Sequence, residues 1–312
     1  MGLVKSTAPA TLARSTVDYA TKPSPESMFP GSDFYTLSEP KLQTNCLIAG
    51  ESGCGKTSFV TLFCPAPIAM INFDRRASDA VYRAEQSGKR ILYADVAYPH
   101  NAMELDDKES MRVGEACVGK VVRNLEYAVK ESIAGNIRTI CLDTGTELGE
   151  IINMATAGRP DKSKYGDRGK SKDLANRQWG GIYDLVRDGL AHFVVLSRAK
   201  EIWIDDKGTG RYTYRGSPAM FEGVEWAGVL KAEKTSTLRL GGGLVLGGAN
   251  ATPADGKIVR SIHMIKAGVN GGELGQTYTE AQWEGFGGPF AFCAMMQYMG
   301  RFPGSSPEDW LK

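Results

Sequence analysis

Gly50-Glu51-Ser52-Gly53-Cys54-Gly55-Lys56-Thr57 fits the pattern G-x-x-x-x-G-K-[ST], whose residue types suit the cradling of a polyphosphate. Glycines let the backbone curl so that successive N–H groups face phosphate oxygens, and the start of a following helix adds positive potential. Lys56 would reach the β- and γ-phosphates, Thr57 would offer its hydroxyl to Mg²⁺, and Ser58 closes the cradle. The loop follows the apolar run Cys46-Leu47-Ile48-Ala49 and precedes Ser58-Phe59-Val60-Thr61-Leu62-Phe63, which has helical character. That is the strand, turn and helix context the motif requires. Nucleotide binding is the expectation, with ATP and Mg²⁺ as the ligands.

A phosphate loop of this kind needs a carboxylate for the Mg²⁺ shell at the end of a neighbouring buried strand. Thr139-Ile140-Cys141-Leu142-Asp143 supplies one, and Asp143 is expected to serve the metal. Hydrolysis further needs a group that positions or deprotonates water. Asp74, at the end of Ile71-Asn72-Phe73-Asp74, is the preferred base, and Glu147, four residues after Asp143, is the alternative. Arg75 and Arg76 read as solvated charges. Ser197 or Arg198 could sense the γ-phosphate at the end of a further strand, a surface turn being the plain alternative. A cation reaching the transferring phosphoryl group from a neighbouring subunit could be Lys266, with Lys231 and Lys234 as further candidates.

A second cluster runs from Arg159 to Asp173. Arg159, Lys162, Lys164, Arg168, Lys170 and Lys172 stand against three acidic residues in a chain that is otherwise near neutral. With Gly, Ser and a single aromatic, Tyr165, this loop suits a clamp on a phosphate backbone, where counterion release supplies affinity and the ring stacks on a base. A lid over bound ATP, or a solvated loop, would also produce this composition.

Short apolar runs position these groups. Strands are expected at Cys46–Ala49, Ile68–Phe73, Ile91–Val96, Thr139–Leu142 and Phe193–Leu196, with long helices at Glu109–Ala134 and Asp173–Gly189. Strands alternating with helices imply an α/β fold with a mostly parallel sheet and helices on both faces. After Leu196 the texture turns antiparallel. Glu201–Ile204 and Arg211–Tyr214 flank a turn-rich hairpin connection, and further strands are expected at Val224–Ala232, Thr237–Leu240 and Ile258–Lys266. The glycines of 241–248 lack a G-K-[ST] ending and read as a turn or bulge. Phe290–Met299 reads as a helix packing on the core. Three regions result: an extended Pro-punctuated arm over 1–40, a core over 41–270 and a tail over 271–312.

Composition narrows the function classes. The 37 basic and 36 acidic residues nearly cancel, so nucleic acid must be met by a local patch. No apolar run approaches the ~18 residues a membrane helix needs, and no secretory signal pattern is seen. The formal match of Met1–Ser6 to a myristoylation signal is a loose one. Six cysteines without C-x-x-C spacing fit a reducing, cytoplasmic setting, and three isolated histidines argue against a histidine-rich metal site or a His-based triad.

The order of Gly50–Thr57, the Ile68–Asp74 strand, Thr139-Ile140-Cys141-Leu142-Asp143-Thr144-Gly145-Thr146-Glu147-Leu148, Gln178-Trp179 and Phe193–Lys200 resembles the phage-encoded RecA-like nucleotide-binding proteins. The resemblance spans roughly Leu42 to Lys266. It implies a RecA-like P-loop NTPase core with an antiparallel extension in the C-terminal third, ATP and Mg²⁺ binding, ATPase activity and a homo-oligomer. For recombination-linked members it also implies single-stranded DNA binding, and for a phage-encoded protein the host cytoplasm. Two positions depart from the family: Asp74 stands where a glutamate is usual, and Lys266-Ala267-Gly268 lacks a frequent arginine. The rival readings are a nucleic-acid translocating motor of the packaging or helicase type and a non-hydrolysing ATP-binding scaffold. A small-molecule kinase is disfavoured, because no arginine-rich lid is visible.

Overall fold

The apolar run ahead of the glycine loop forms β1 (Asn45–Gly50), and the loop opens directly onto α1 (Lys56–Phe63). Next come β2 (Ile68–Asn72), α2 (Ser78–Gln86), β3 (Ile91–Asp95), α3 (Asp107–Ile133), β4 (Thr139–Asp143), α4 (Gly145–Ala157) and α5 (Arg168–Arg187). The C-terminal part holds β5 (His192–Ile204), β6 (Lys207–Arg215), α6 (Pro218–Glu222), β7 (Trp226–Thr235), β8 (Thr237–Leu240), β9 (Gly243–Leu246), β10 (Lys257–Lys266), β11 (Thr277–Thr279), α7 (Glu280–Trp283) and α8 (Pro289–Tyr298). This is a computed structural model, and it describes residues 43–73, 77–96, 104–158, 168–235, 237–240, 243–246, 257–267 and 274–298.

Strands line up as β3-β2-β4-β5-β1-β7-β10-β11, with β6 pairing to β5. From β3 to β7 all neighbours are parallel, while β10, β11 and β6 pair antiparallel. The fold is thus α/β, with a mostly parallel central sheet flanked by helices and an antiparallel part, as the alternation of apolar runs implies. Parallel strands read as continuous apolar runs because both faces are covered. In β1, Leu47 and Ala49 enter one buried cluster with residues of α3, α4 and α5, and Cys46 and Ile48 enter another with residues of α1, α2 and α8. Phe290 of α8 is fully buried against Phe59, His192 and Trp226, so this helix packs on the core as expected.

Several boundaries differ from expectation. Ser197–Lys200 do not end a strand. β5 continues through them to Ile204, because Arg198, Ala199 and Lys200 pair with Arg215, Tyr214 and Thr213 of β6. The hairpin connection shrinks to Asp205 and Asp206, both left-handed (φ 48° and 59°), a conformation Asp tolerates better than most residues. β7 runs parallel to β1, so only β10 and β11 extend that edge antiparallel. The helix expected from Asp173 starts at Arg168, placing Arg168, Lys170 and Lys172 on α5 rather than in a loop. Arg159, Lys162, Lys164 and Tyr165 lie outside the described residues, as does the arm over 1–40. β11 and α8, both within 271–312, join the same sheet and core. Gly243–Leu246, inside the glycine-rich stretch read as a turn or bulge, form β9, paired with β8 in a separate ribbon. Among the described residues, no helix is long and apolar enough to cross a membrane.

Candidate functional site

β1 and β4 point the same way and end at the same sheet edge with β5 between them. Neighbouring strands are about 4.8 Å apart, so their ends stand about 10 Å from one another, and the first turn of α1 bridges the gap. Two features shape the loop between β1 and α1. Gly53 and Gly55 are left-handed, with φ 82° and 97°. A Cβ on Gly50 would meet Cys54 Sγ at 2.4 Å and the Leu230 carbonyl at 2.9 Å, so no larger residue fits there.

α1 begins at Gly55 with no side-chain cap and no acidic residue in its first turn. α3, α4 and α6, in contrast, start at Asp106, Thr144 and Ser217, each of which caps with its side chain. An uncapped helix start presents N–H groups and a positive dipole end to whatever anion approaches. Lys56 folds back over the loop, its Nζ donating to the carbonyls of Gly50 (2.9 Å) and Glu51 (2.8 Å). Glu51, Ser52 and Gly53 are exposed, and Ser58 is half-buried on the first turn. Cys54 is buried, and burial pushes its thiol above the usual range against the opposing pull of Lys56, so it is no thiolate nucleophile.

Thr57 donates its hydroxyl to Asp143 Oδ2 at 2.7 Å. Asp143 is 2% exposed at the C-terminal end of β4. A hydroxyl and a carboxylate oxygen at this separation suit a small hard cation such as Mg²⁺, which prefers oxygen ligands and keeps part of its shell as water and phosphate. Among the described residues, no three His, Cys, Asp or Glu converge into an all-protein metal cage.

Behind Asp143 the polar groups are densely connected. Thr144 caps α4 and donates its hydroxyl to Glu147, whose carboxylate also pairs with the Arg198 guanidinium. Glu147 is buried, whereas the Arg198 side chain is 53% exposed and belongs to the residue in register with Gly50. Thr146 and Ser197 both donate to the Arg215 carbonyl at 2.8 Å, and Thr146 Oγ1 accepts the Arg198 N–H at 3.0 Å. Ser197 is fully buried in this knot. Thr146 was not singled out from sequence, although it sits in the Thr-Glu-Leu stretch that carried the resemblance. Asn72 was also missed. It is a buried amide in register with Asp143 that donates to the Tyr93 hydroxyl, and an Asn ending an apolar strand was its one signal.

Other sequence candidates lie apart from this cluster. Lys266 donates to the carbonyls of Phe221, Glu222 and Val224 at 2.8, 3.0 and 2.5 Å, which uses all three of its donors at the end of α6. Burial holds its amino group below the usual lysine range. It is in register with Ala227, three residues down β7 from Leu230, the neighbour of Gly50. Lys231 is closer. With Tyr212 it walls a recess of about 270 Å³ whose far side is Glu51–Cys54. Lys234 is a β7 residue opposite Ile258. Asp74 lies outside the described residues.

The fold and site together define an α/β protein with a glycine loop, a lysine and a Thr–Asp pair converging at the C-terminal edge of a parallel sheet. No protein-family model matches the chain, and no curated protein matches it.

Proposed function

We propose that this chain is a RecA-like P-loop NTPase that binds MgATP at Gly50–Ser58, hydrolyses it, and acts on single-stranded DNA as a homo-oligomer in phage recombination or replication. The observation that carries the nucleotide half is the 2.7 Å contact between Thr57 and Asp143 beside the Lys56 amino group. The strand order supports it too, since an additional strand, β5, separates the glycine-loop strand from the carboxylate strand.

In this reading Lys56 exchanges the carbonyls of Gly50 and Glu51 for β- and γ-phosphate oxygens. The first-turn N–H groups of α1 hold the remaining phosphate charge. Bound Mg²⁺ would supply neutralisation of the β- and γ-oxygens. Thr57 would hold it directly, and Asp143 would orient its water shell. Arg198, half-exposed and level with Gly50, is placed to turn toward a γ-phosphate, and doing so would loosen its hold on Glu147. Asp74 remains the preferred base. The basic segment Arg159–Lys172 is the proposed strand clamp.

A non-hydrolysing ATP-binding scaffold is the second reading. It is favoured by the engagement of Glu147 with both Arg198 and Thr144, which leaves that carboxylate poorly placed to accept a proton from water. ATP turnover measured alone, with single-stranded DNA and with duplex DNA separates these readings. Stimulation by single strands supports the proposal, stimulation by duplex alone favours a translocating motor, and tight ATP binding without turnover favours the scaffold.

A further inference from the structure

We propose that a groove across β6, β7, β10 and β11 is a seat for the phosphodiester backbone of a single-stranded nucleic acid, with Arg211 and Lys231 as its phosphate contacts. The proposal rests on the nucleic-acid half of the reading above and builds the contact from residues other than Arg159–Lys172.

The register of the antiparallel strands builds the floor. Val229, His263 and Thr277 form one cross-strand row, and Lys231, Ser261 and Thr279 form the next. Residues two apart on a strand share a face, so both rows line the same side of the sheet. Arg211 of β6 closes the other wall, and the space enclosed is about 640 Å³. That is far more than a single inorganic phosphate fills. Ser261 adds a neutral hydroxyl along the floor, while the Thr277 and Thr279 hydroxyls bond His263 and Gln282.

Among the described residues the charge in this groove has one sign, and no carboxylate is part of its lining. Among the described residues Arg211 and Lys231 make no ion pair, and the Lys231 ammonium stands 5.1 Å over the Tyr212 ring. His263 bonds Thr277 at 2.9 Å, and burial together with Lys231 and Arg211 keeps its imidazole below the usual pKa, so the ring serves as a neutral partner. Glu51 and Glu201 act on Tyr212 at the rim of the groove, where Glu201 Oε1 accepts the Gly210 N–H at 2.8 Å. Cations that pair with no described carboxylate, standing beside a hydroxyl, complement phosphate oxygens, and an adjacent aromatic ring offers a base a stacking face. Trp203, 63% exposed near the tip of the same β5–β6 ribbon, offers a second.

The groove also reaches the nucleotide loop. Tyr212, Val229 and Lys231 are shared with the recess that ends on Glu51–Cys54. A strand held here would therefore lie against the outer side of the loop proposed to hold ATP.

The test is fluorescence anisotropy of a labelled oligothymidylate across a salt series, with binding of a fluorescent ATP analogue and thermal melting read in parallel. Arg211→Glu and Thr277→Glu place a carboxylate on the wall and on the floor, both at exposed positions. Each is expected to weaken oligonucleotide binding at least about tenfold while analogue binding and the melting midpoint hold. Arg211→Ala should lower the slope of log K against log salt by about 0.7, one single-strand phosphate contact. Wild-type affinity and slope in all three variants would overturn the groove and leave the function reading standing. No oligonucleotide binding by the wild type would overturn both the DNA half of that reading and the groove. Displacement of the oligonucleotide by inorganic tripolyphosphate at equal phosphate concentration would show a free-phosphate site and overturn the proposal.

Discussion

Thr57 and Asp143 meet at 2.7 Å although 86 residues separate them in the chain. The contact exists because β1 and β4 end at one sheet edge and the uncapped first turn of α1 leans across the strand between them. Thr57→Val keeps the shape and removes the hydroxyl that donates to the buried Asp143 carboxylate. We expect a stability loss of about 1–3 kcal/mol without nucleotide, read by urea unfolding, and a fall in ATP turnover on the order of 10²-fold.

Glu147 and Arg198 should be energetically coupled. A double-mutant cycle of Glu147→Gln and Arg198→Ala is expected to give about 1 kcal/mol, below the several kcal/mol of a fully buried pair, because the arginine is half in solvent. Additivity of the two single changes would remove Arg198 as the holder of Glu147.

Gly145→Ala should destabilise the fold. The added Cβ would stand 2.5 Å from Val195 Cγ1 and 2.7 Å from Met220 Sδ, at the first residue of α4 directly after Asp143 and Thr144. Overpacking of this kind costs about 1–3 kcal/mol, visible as a lowered melting temperature. An unchanged midpoint would show that α4 can shift freely.

How much of this was legible beforehand depended on whether the partner of each residue was local. The glycine loop, the apolar run before it and Asp143 at the end of another apolar run are local patterns, and each landed on the expected element. Ser197–Lys200 read as a strand end because the residues are polar, yet their ladder is completed by Thr213–Arg215 of β6. Lys266 read as a cation for a neighbouring subunit, while its three acceptors come from carbonyls 42 to 45 residues away. The direction of β7 is likewise set by its crossover through α6, not by its composition. The start of α5 was missed because its first residues are charged and glycine-containing, and an apolar period begins only at Ala175.

Acid should weaken the fold partly through His263. Burial, Lys231 and Arg211 depress its folded pKa below the usual 6.5, so the unfolded chain takes up the proton first as pH falls. Its contribution is present above that value and is lost as pH drops through it toward the lower folded pKa. Chemical denaturation between pH 8 and 5 should show stability rising with pH in this window, and His263→Gln should flatten the rise. A parallel dependence in the variant would assign the effect to other groups.

The most direct measurement is calorimetric titration of ATP, with Mg²⁺ and with EDTA, into the wild type and Asp143→Asn. The wild type should bind at least about tenfold more tightly with Mg²⁺, and Asp143→Asn should lose that gain while keeping the metal-free affinity that Lys56 and the α1 N-terminus provide. Absence of ATP binding by the wild type, or an undiminished Mg²⁺ gain in Asp143→Asn, would contradict a magnesium–nucleotide site at Thr57 and Asp143.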